Sequence, residues 1–208
     1  MKTRHTAAGR SACEPNPDCG DFQTVYTASM SYAFKPRKSL VLIGLMGVGK
    51  TTVGRRLAHA LKLQFRDADE EVEKAAGRSV SEIFEDFGEH AFRDGERKVI
   101  ARLLEEPPMV LALGGGAFVD DETRERVKAM ATSIWLQADV ETLVQRVARR
   151  DTRPLLRDED PETVLRTLLN KRQAAYAEAD IHVDASGGSH QITLDSILQA
   201  LEGREART

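Results

Sequence analysis

The chain has 208 residues, with 30 Lys and Arg against 33 Asp and Glu and a formal net charge of −3. That balance supplies no bulk positive charge for general nucleic-acid binding, and no apolar run approaches the ~18 residues a membrane span needs. With 41% hydrophobic and 30% charged residues, the composition is that of a globular protein with its own core. The two cysteines, Cys13 and Cys19, both precede the regular part of the chain, so the folded part has no disulfide framework, in keeping with a reducing cytoplasm.

Residues 1–37 mix Thr, Ser, Ala, Gly and Pro without apolar periodicity, and are read as a disordered N-terminal extension. They lack the apolar centre of a secretory signal. Arg4 and Arg10 faintly suggest an organelle transit peptide, but Glu14, Asp18 and Asp21 argue against one. Met30 is an alternative start, a short lead into the first regular segment.

Leu40 to Ile43 is an apolar run that reads as a buried parallel strand. It ends in Gly44-Leu45-Met46-Gly47-Val48-Gly49-Lys50-Thr51, which fits G-x-x-x-x-G-K-[ST], and a helical pattern with Val53, Leu57, Ala58 and Leu61 on one side follows. Strand, glycine loop and helix in this order form the context a phosphate-binding P-loop requires. Glycines let backbone N–H groups point inward around a phosphate, and the helix start offers unpaired N–H groups and a positive dipole end to the same anion. Lys50 can reach the β- and γ-phosphates, and the Thr51 hydroxyl can hold Mg²⁺.

Next comes a short strand around Leu63-Gln64-Phe65, then Arg66-Asp67-Ala68-Asp69. A D-x-D at a strand's C-terminal end lies at the edge where open α/β sheets bind ligands. There the two carboxylates can serve a metal and a substrate hydroxyl; alternatively they are an N-cap and an acidic first helical turn. Ser79 to Glu82 reads as a capping box. A helix from about Glu89 to Leu104 puts Arg93 and Glu96 on one face, as part of a site or as a surface ion pair.

Pro107-Pro108 ends that helix, and Met109 to Leu113 is a second buried strand, expected beside the first. It ends in Gly114-Gly115-Gly116. A tight turn needs one glycine; three suggest backbone N–H groups approaching a ligand closely. The strand lacks a terminal Asp, which leaves Asp67 as the candidate metal carboxylate. A charged helix (120–130), a strand (133–137) containing Trp135, and a helix (139–149) follow. Strands alternating with helices imply a parallel sheet covered on both faces. The arginine-dense stretch at about 150–160 reads as a mobile lid whose arginines can close over a transferring phosphate. A Pro-initiated helix from 161 carries Lys171, Arg172 and Tyr176, and a last strand (181–183) and an amphipathic helix complete the chain. The domain is expected over 38–203, with 204–208 frayed.

Arg93, Arg172 and the triple glycine suit a carboxylate or phosphate on the acceptor, and Asp69 suits its hydroxyls. The acceptor is therefore expected to be a small polyhydroxylated acid.

The pieces GLMGVGKTT, DAD, GRSVSEIFEDFGEHAFRDGE, LALGGG, RPLL and KRQAAY, in that order and spacing, resemble the shikimate kinases over about Lys38 to Leu201. The resemblance implies a three-layer α/β/α fold with a five-stranded parallel sheet, a P-loop like that of nucleoside monophosphate kinases, and a lid. It implies transfer of the γ-phosphate of ATP to the 3-hydroxyl of shikimate, on the route to chorismate and aromatic amino acids, by a cytoplasmic monomer. By motif, Gly47, Val48, Gly49, Lys50, Thr51 and Thr52 bind the ATP phosphates, while Thr51 and Asp67 serve Mg²⁺. Asp69 binds shikimate hydroxyls and is placed to act as base. Arg93 and Arg172 hold the shikimate carboxylate, Gly115 with Gly114 and Gly116 makes the backbone contact, and Glu96 orients Arg93. Arg153 of RPLL corresponds to the lid arginine on the phosphates, and Arg146, by spacing, to one stacking on adenine. The extension is a departure from the family. The rivals are a gluconate kinase-like enzyme and an inactive nucleotide-binding homologue.

Overall fold

The computed structural model describes residues 36–148, 160–187 and 189–205. The expected extension (1–37) therefore lies outside the described residues except for Pro36 and Arg37, and so does the expected lid, with Arg153, except for Asp160.

Five strands make one parallel sheet: β1 (Ser39–Ile43), β2 (Gln64–Asp67), β3 (Met109–Ala112), β4 (Ala131–Gln137) and β5 (Ile181–Asp184), in the order β2-β3-β1-β4-β5. Helices α1 (Lys50–Leu61), α2 (Ala68–Ala76), α3 (Val80–Glu105), α4 (Asp121–Met130), α5 (Val140–Ala148), α6 (Pro161–Tyr176) and α7 (His190–Glu205) connect and cover it. β1 is central. Consecutive residues Val41 and Leu42 are both 0% exposed, so both faces of the strand are buried, as its unbroken apolar run requires.

Register brings the functional loops to one edge. Leu42 lies opposite Ala112, and Ala112 opposite Asp67. The P-loop after β1, the D-x-D that begins at the last residue of β2 and the triple glycine after β3 thus leave the sheet side by side, at its C-terminal edge.

Local chemistry sets the helix ends. Asp67 caps α2, its side chain accepting from the Asp69 N–H, and Ser79 with Glu82 forms the expected capping box on α3. The two helices expected around Gly88 follow each other directly within Val80–Glu105 and are separated by a kink where Gly88 leaves the helical conformation with φ 78°; only glycine adopts that backbone without cost. At the other end of the chain, α7 continues past 203 to Glu205. Arg204 holds this last turn by donating to the Asp180 carboxylate at 2.6 Å and to the Asp180 carbonyl at 3.2 Å. No helix among the described residues is long and apolar enough to cross a membrane.

The β4–β5 edge carries a polar clasp that periodicity does not reveal. Ser133, 0% exposed, donates from its backbone N–H (2.9 Å) and its hydroxyl (2.8 Å) to the Asp180 carboxylate, and the Asp180 N–H donates back to the Ser133 hydroxyl at 2.9 Å. Ser133→Ala removes one partner from a buried network. It is expected to lower unfolding free energy by about 1–2 kcal/mol, measured by urea denaturation, with turnover unchanged because the clasp faces away from the loop edge.

Candidate active site

The P-loop backbone depends on glycine where the chain turns left-handed. Gly47 has φ 82°, and Gly49, the N-cap of α1, has φ 101°. Any Cβ would strain these turns. Lys50 Nζ donates to the Gly44 carbonyl at 2.8 Å and to that of Leu45 at 3.2 Å, which lays the ammonium across the loop. Val48, expected among the phosphate-binding residues, is 1% exposed and packs into the core beneath the loop.

Thr51 Oγ1 donates to Asp67 Oδ2 at 2.9 Å, while Asp67 Oδ1 accepts from the Asp69 N–H at 3.2 Å. Asp67 is thus both the cap of α2 and the polar link between P-loop and β2. The two readings weighed for this motif, cap and site, are compatible because the carboxylate has two oxygens.

On α3, Arg93 Nη1 donates to Glu96 Oε2 at 2.7 Å and Nη2 to Glu89 Oε1 at 3.3 Å. Glu96 is 2% exposed, so this is no surface ion pair. Burial pushes the Glu96 carboxyl up; the Arg93 guanidinium opposes that shift, and the neighbouring Asp69 and Asp120 charges add to it. Burial works against the Arg93 charge as well, but the two glutamates outweigh it and hold the guanidinium above its ordinary value. Glu96 Oε1 is buried and has no hydrogen-bond partner among the described residues.

The triple glycine works as space. A Cβ on Gly114 would lie 2.7 Å from Asp69 Oδ1 and 2.8 Å from Glu96 Oε1. On Gly115 it would lie 2.6 Å from Arg172 Nη1, and on Gly116 2.7 Å from Arg93 Nη2. Gly114 is the floor beneath two carboxylates, and Gly115 and Gly116 each beneath one guanidinium. Sequence reasoning assigned the glycines to backbone contact with a ligand; their closest neighbours among the described residues are the site's own side chains.

These residues line one cleft of about 660 Å³: Gly47, Gly49, Lys50, Thr51 and Thr52 on the P-loop side, and Asp67, Asp69, Arg93, Glu96, Gly114 to Gly116 and Arg172 opposite. Arg146 lies outside that lining and donates to the Val48 carbonyl at 3.4 Å, which places it behind the loop. Arg153 falls outside the described residues. Sequence reasoning missed the apolar wall, Met46, Val80, Phe84 and Phe92. Phe84 and Phe92 lie with ring centroids 4.7 Å apart, and the Arg93 guanidinium is 5.1 Å from the Phe92 ring centre. Phe84 precedes and Phe92 follows the kink at Gly88, and both face the cleft.

A parallel sheet with a P-loop on its central strand, facing a cationic and carboxylate half-site across one cleft, defines a P-loop phosphotransferase of the nucleoside monophosphate kinase type. The shikimate kinase family model matches residues 46–202. A shikimate kinase of Caulobacter vibrioides is 60% identical over 169 residues, 81% of this chain and 84% of its own. One of Paramagnetospirillum magneticum is 54% identical, covering 79% and 84%. The structure of the Acinetobacter baumannii shikimate kinase in complex with shikimate superposes with a TM-score of 0.78 at 39% identity, covering 84% of this chain and 98% of that one. The chain belongs to the shikimate kinase family.

Gly116→Ala tests the role of glycine as space. The obstructed group is the far end of a flexible side chain, so the melting midpoint is expected to move by only a few degrees. Displacing the Arg93 guanidinium is expected to lower kcat/KM at least tenfold, an estimate of about 1.4 kcal/mol. Wild-type kcat/KM in a steady-state assay would show that Arg93 does not need that position.

Proposed function

We propose that this chain transfers the γ-phosphoryl group of ATP to the 3-hydroxyl of shikimate, giving shikimate 3-phosphate and ADP. The observation that carries the reading is the cleft itself: Lys50 and the P-loop on one side, and Asp69, Arg93 and Arg172 gathered over three glycines on the other. Two guanidinium groups match a carboxylate, which each can bind in a bidentate way. Asp69 matches a hydroxyl beside it. Val80, Phe84 and Phe92 give the carbon ring of such an acid an apolar wall.

The chain's own groups account for the remaining demands of phosphoryl transfer, which are alignment and charge neutralisation. The P-loop N–H groups and Lys50 hold the β- and γ-phosphates, and Thr52 extends the same helix start. Arg93 and Arg172 fix the acceptor by its carboxylate, so its hydroxyl has one approach to the γ-phosphorus. Asp69 accepts that hydroxyl's hydrogen bond and is placed to take its proton as the new P–O bond forms and ADP leaves. Arg153, by its RPLL motif, adds positive charge at the phosphates, and Arg146, behind Val48, borders the nucleotide side. Glu96 holds Arg93.

The donors at the P-loop also fit Mg²⁺. Thr51 and Asp67 offer a hydroxyl and one carboxylate, both hard oxygens, 2.9 Å apart. No cluster of three or more His, Cys, Asp or Glu able to hold a metal occurs among the described residues. That donor set suits an ion that keeps water and phosphate oxygens in its shell. When bound, the ion neutralises and aligns the phosphate oxygens. Asp67 fixes the Thr51 proton, which leaves the hydroxyl lone pairs for the ion.

We further propose a cytoplasmic monomer. The monomer rests on the family resemblance, and the cytoplasm fits a chain in which no cysteine follows Cys19.

ADP release measured with ATP and either shikimate or gluconate is the direct test. Shikimate-dependent turnover is expected; turnover of gluconate alone would give the site to the rival kinase, and none with either to the inactive homologue. Asp69→Asn is expected to lower kcat at least about a hundredfold while ATP binding stays within a few-fold of wild type. A variant with near-native kcat would remove Asp69 from the chemistry.

A further inference from the structure

Tyr176 ends α6, four residues after Arg172, so the two side chains share a face of the helix. The phenol is completely buried. Its hydroxyl donates to the Gly115 carbonyl, and Arg172 Nη1 occupies the space above the same glycine. The Trp135 ring packs against the Tyr176 ring, with centroids 5.7 Å apart, and fixes it from the sheet side.

The Gly115 carbonyl belongs to the planar unit that joins Gly115 to Gly116. In a trans peptide the carbonyl and the next N–H point in opposite directions. Holding the carbonyl therefore sets the direction of the Gly116 N–H and the tilt of the turn beneath Arg172 and Arg93. Glycine cannot hold such a turn through its own conformational preference, so three in a row need an external tether.

We infer that Tyr176 is a positioning residue of the acceptor half of the site: its hydroxyl tethers the Gly114–Gly116 turn and keeps Arg172 and Arg93 in register for the acceptor's carboxylate. This rests on the proposed reading of that half-site as a shikimate pocket. Burial pushes the phenol up against the pull of Arg172, so the tether stays protonated, as a donor must. The nucleotide side is anchored separately, by the P-loop and α1, so the effect of losing the tether falls on the acceptor.

Tyr176→Phe keeps the ring and its packing on Trp135 and deletes only the hydroxyl. We expect the KM for shikimate to rise about tenfold, the worth of one buried hydrogen bond, with kcat and the KM for ATP within about twofold. Isothermal titration calorimetry reads shikimate binding without turnover, and the Kd is expected to weaken by the same factor. An unchanged shikimate KM and Kd would overturn the inference. So would a joint loss of kcat, both KM values and melting midpoint, which would make Tyr176 a packing residue only. Wild-type enzyme without shikimate turnover would instead overturn the acceptor reading itself.

Discussion

Three missing Cβ atoms hold the acceptor half of this site open. Gly114, Gly115 and Gly116 leave β3 at the loop edge, and the volume their side chains would fill is taken by Asp69 and Glu96, by Arg172, and by Arg93 in turn. Those four groups arrive from three helices, α2, α3 and α6. They converge without collision only because the floor beneath them is bare backbone. The cost is a turn of high conformational freedom. It is offset by fixing the turn from outside, through the phenol of Tyr176 and the short bonds that return the chain to order, Ala117 N–H to the Gly114 carbonyl and Val119 N–H to that of Gly116, both 3.1 Å.

The nucleotide half rests on a different device. The donors it offers an anion are backbone N–H groups of the P-loop and the start of α1, whose directions follow from φ values that no rotamer can change. Asp67 joins the halves. One oxygen caps α2, which carries Asp69, and the other receives the Thr51 hydroxyl at the start of α1. A shift of either helix start is therefore felt by the other, and this side chain adds a direct link to the β1–β3–β2 register that places both loops.

Much of this was legible in the sequence, for physical reasons that also mark where reading stops. Apolar runs and glycine punctuation located every strand and put β3 beside β1. The P-loop and the triple glycine were visible because each departs from what a plain turn needs, whereas the D-x-D fits an ordinary helix cap with an acidic first turn and gained its site reading only from standing beside a P-loop. The Ser133–Asp180 clasp was not, since serine and aspartate separated by 47 residues carry no local signal. Glu96 illustrates the limit more sharply. Its spacing from Arg93 revealed the pair, but the alternatives of surface bridge and buried site residue differ only in what covers the helix, and that is tertiary. The apolar wall of Phe84 and Phe92 was readable as apolar, and its direction depended on the kink at Gly88. Tyr176 had a weak signal, its spacing of four from Arg172, which says that the two share a face and leaves open what that face meets.

The buried Glu96 also explains why the acceptor half is built from opposed charges rather than from arginines alone. A lone Arg93 at that depth would carry a desolvation penalty with no ligand to offset it. Glu96 Oε2 supplies the counter-charge at 2.7 Å, while its other oxygen faces the space over Gly114 that Asp69 Oδ1 also borders. Two carboxylate oxygens around one point repel, so the Asp69 charge adds to the burial that pushes the Glu96 carboxyl up. A hydroxyl placed between them relieves that repulsion by donating a hydrogen bond, whereas a second anionic group there would add to it. The same arrangement thus favours a ligand that brings its negative charge to Arg93 and Arg172 and its hydroxyls to Asp69. Under the proposed reading, selection of a hydroxylated acid over a simple anion follows from the sign of the charge at each end of one short turn.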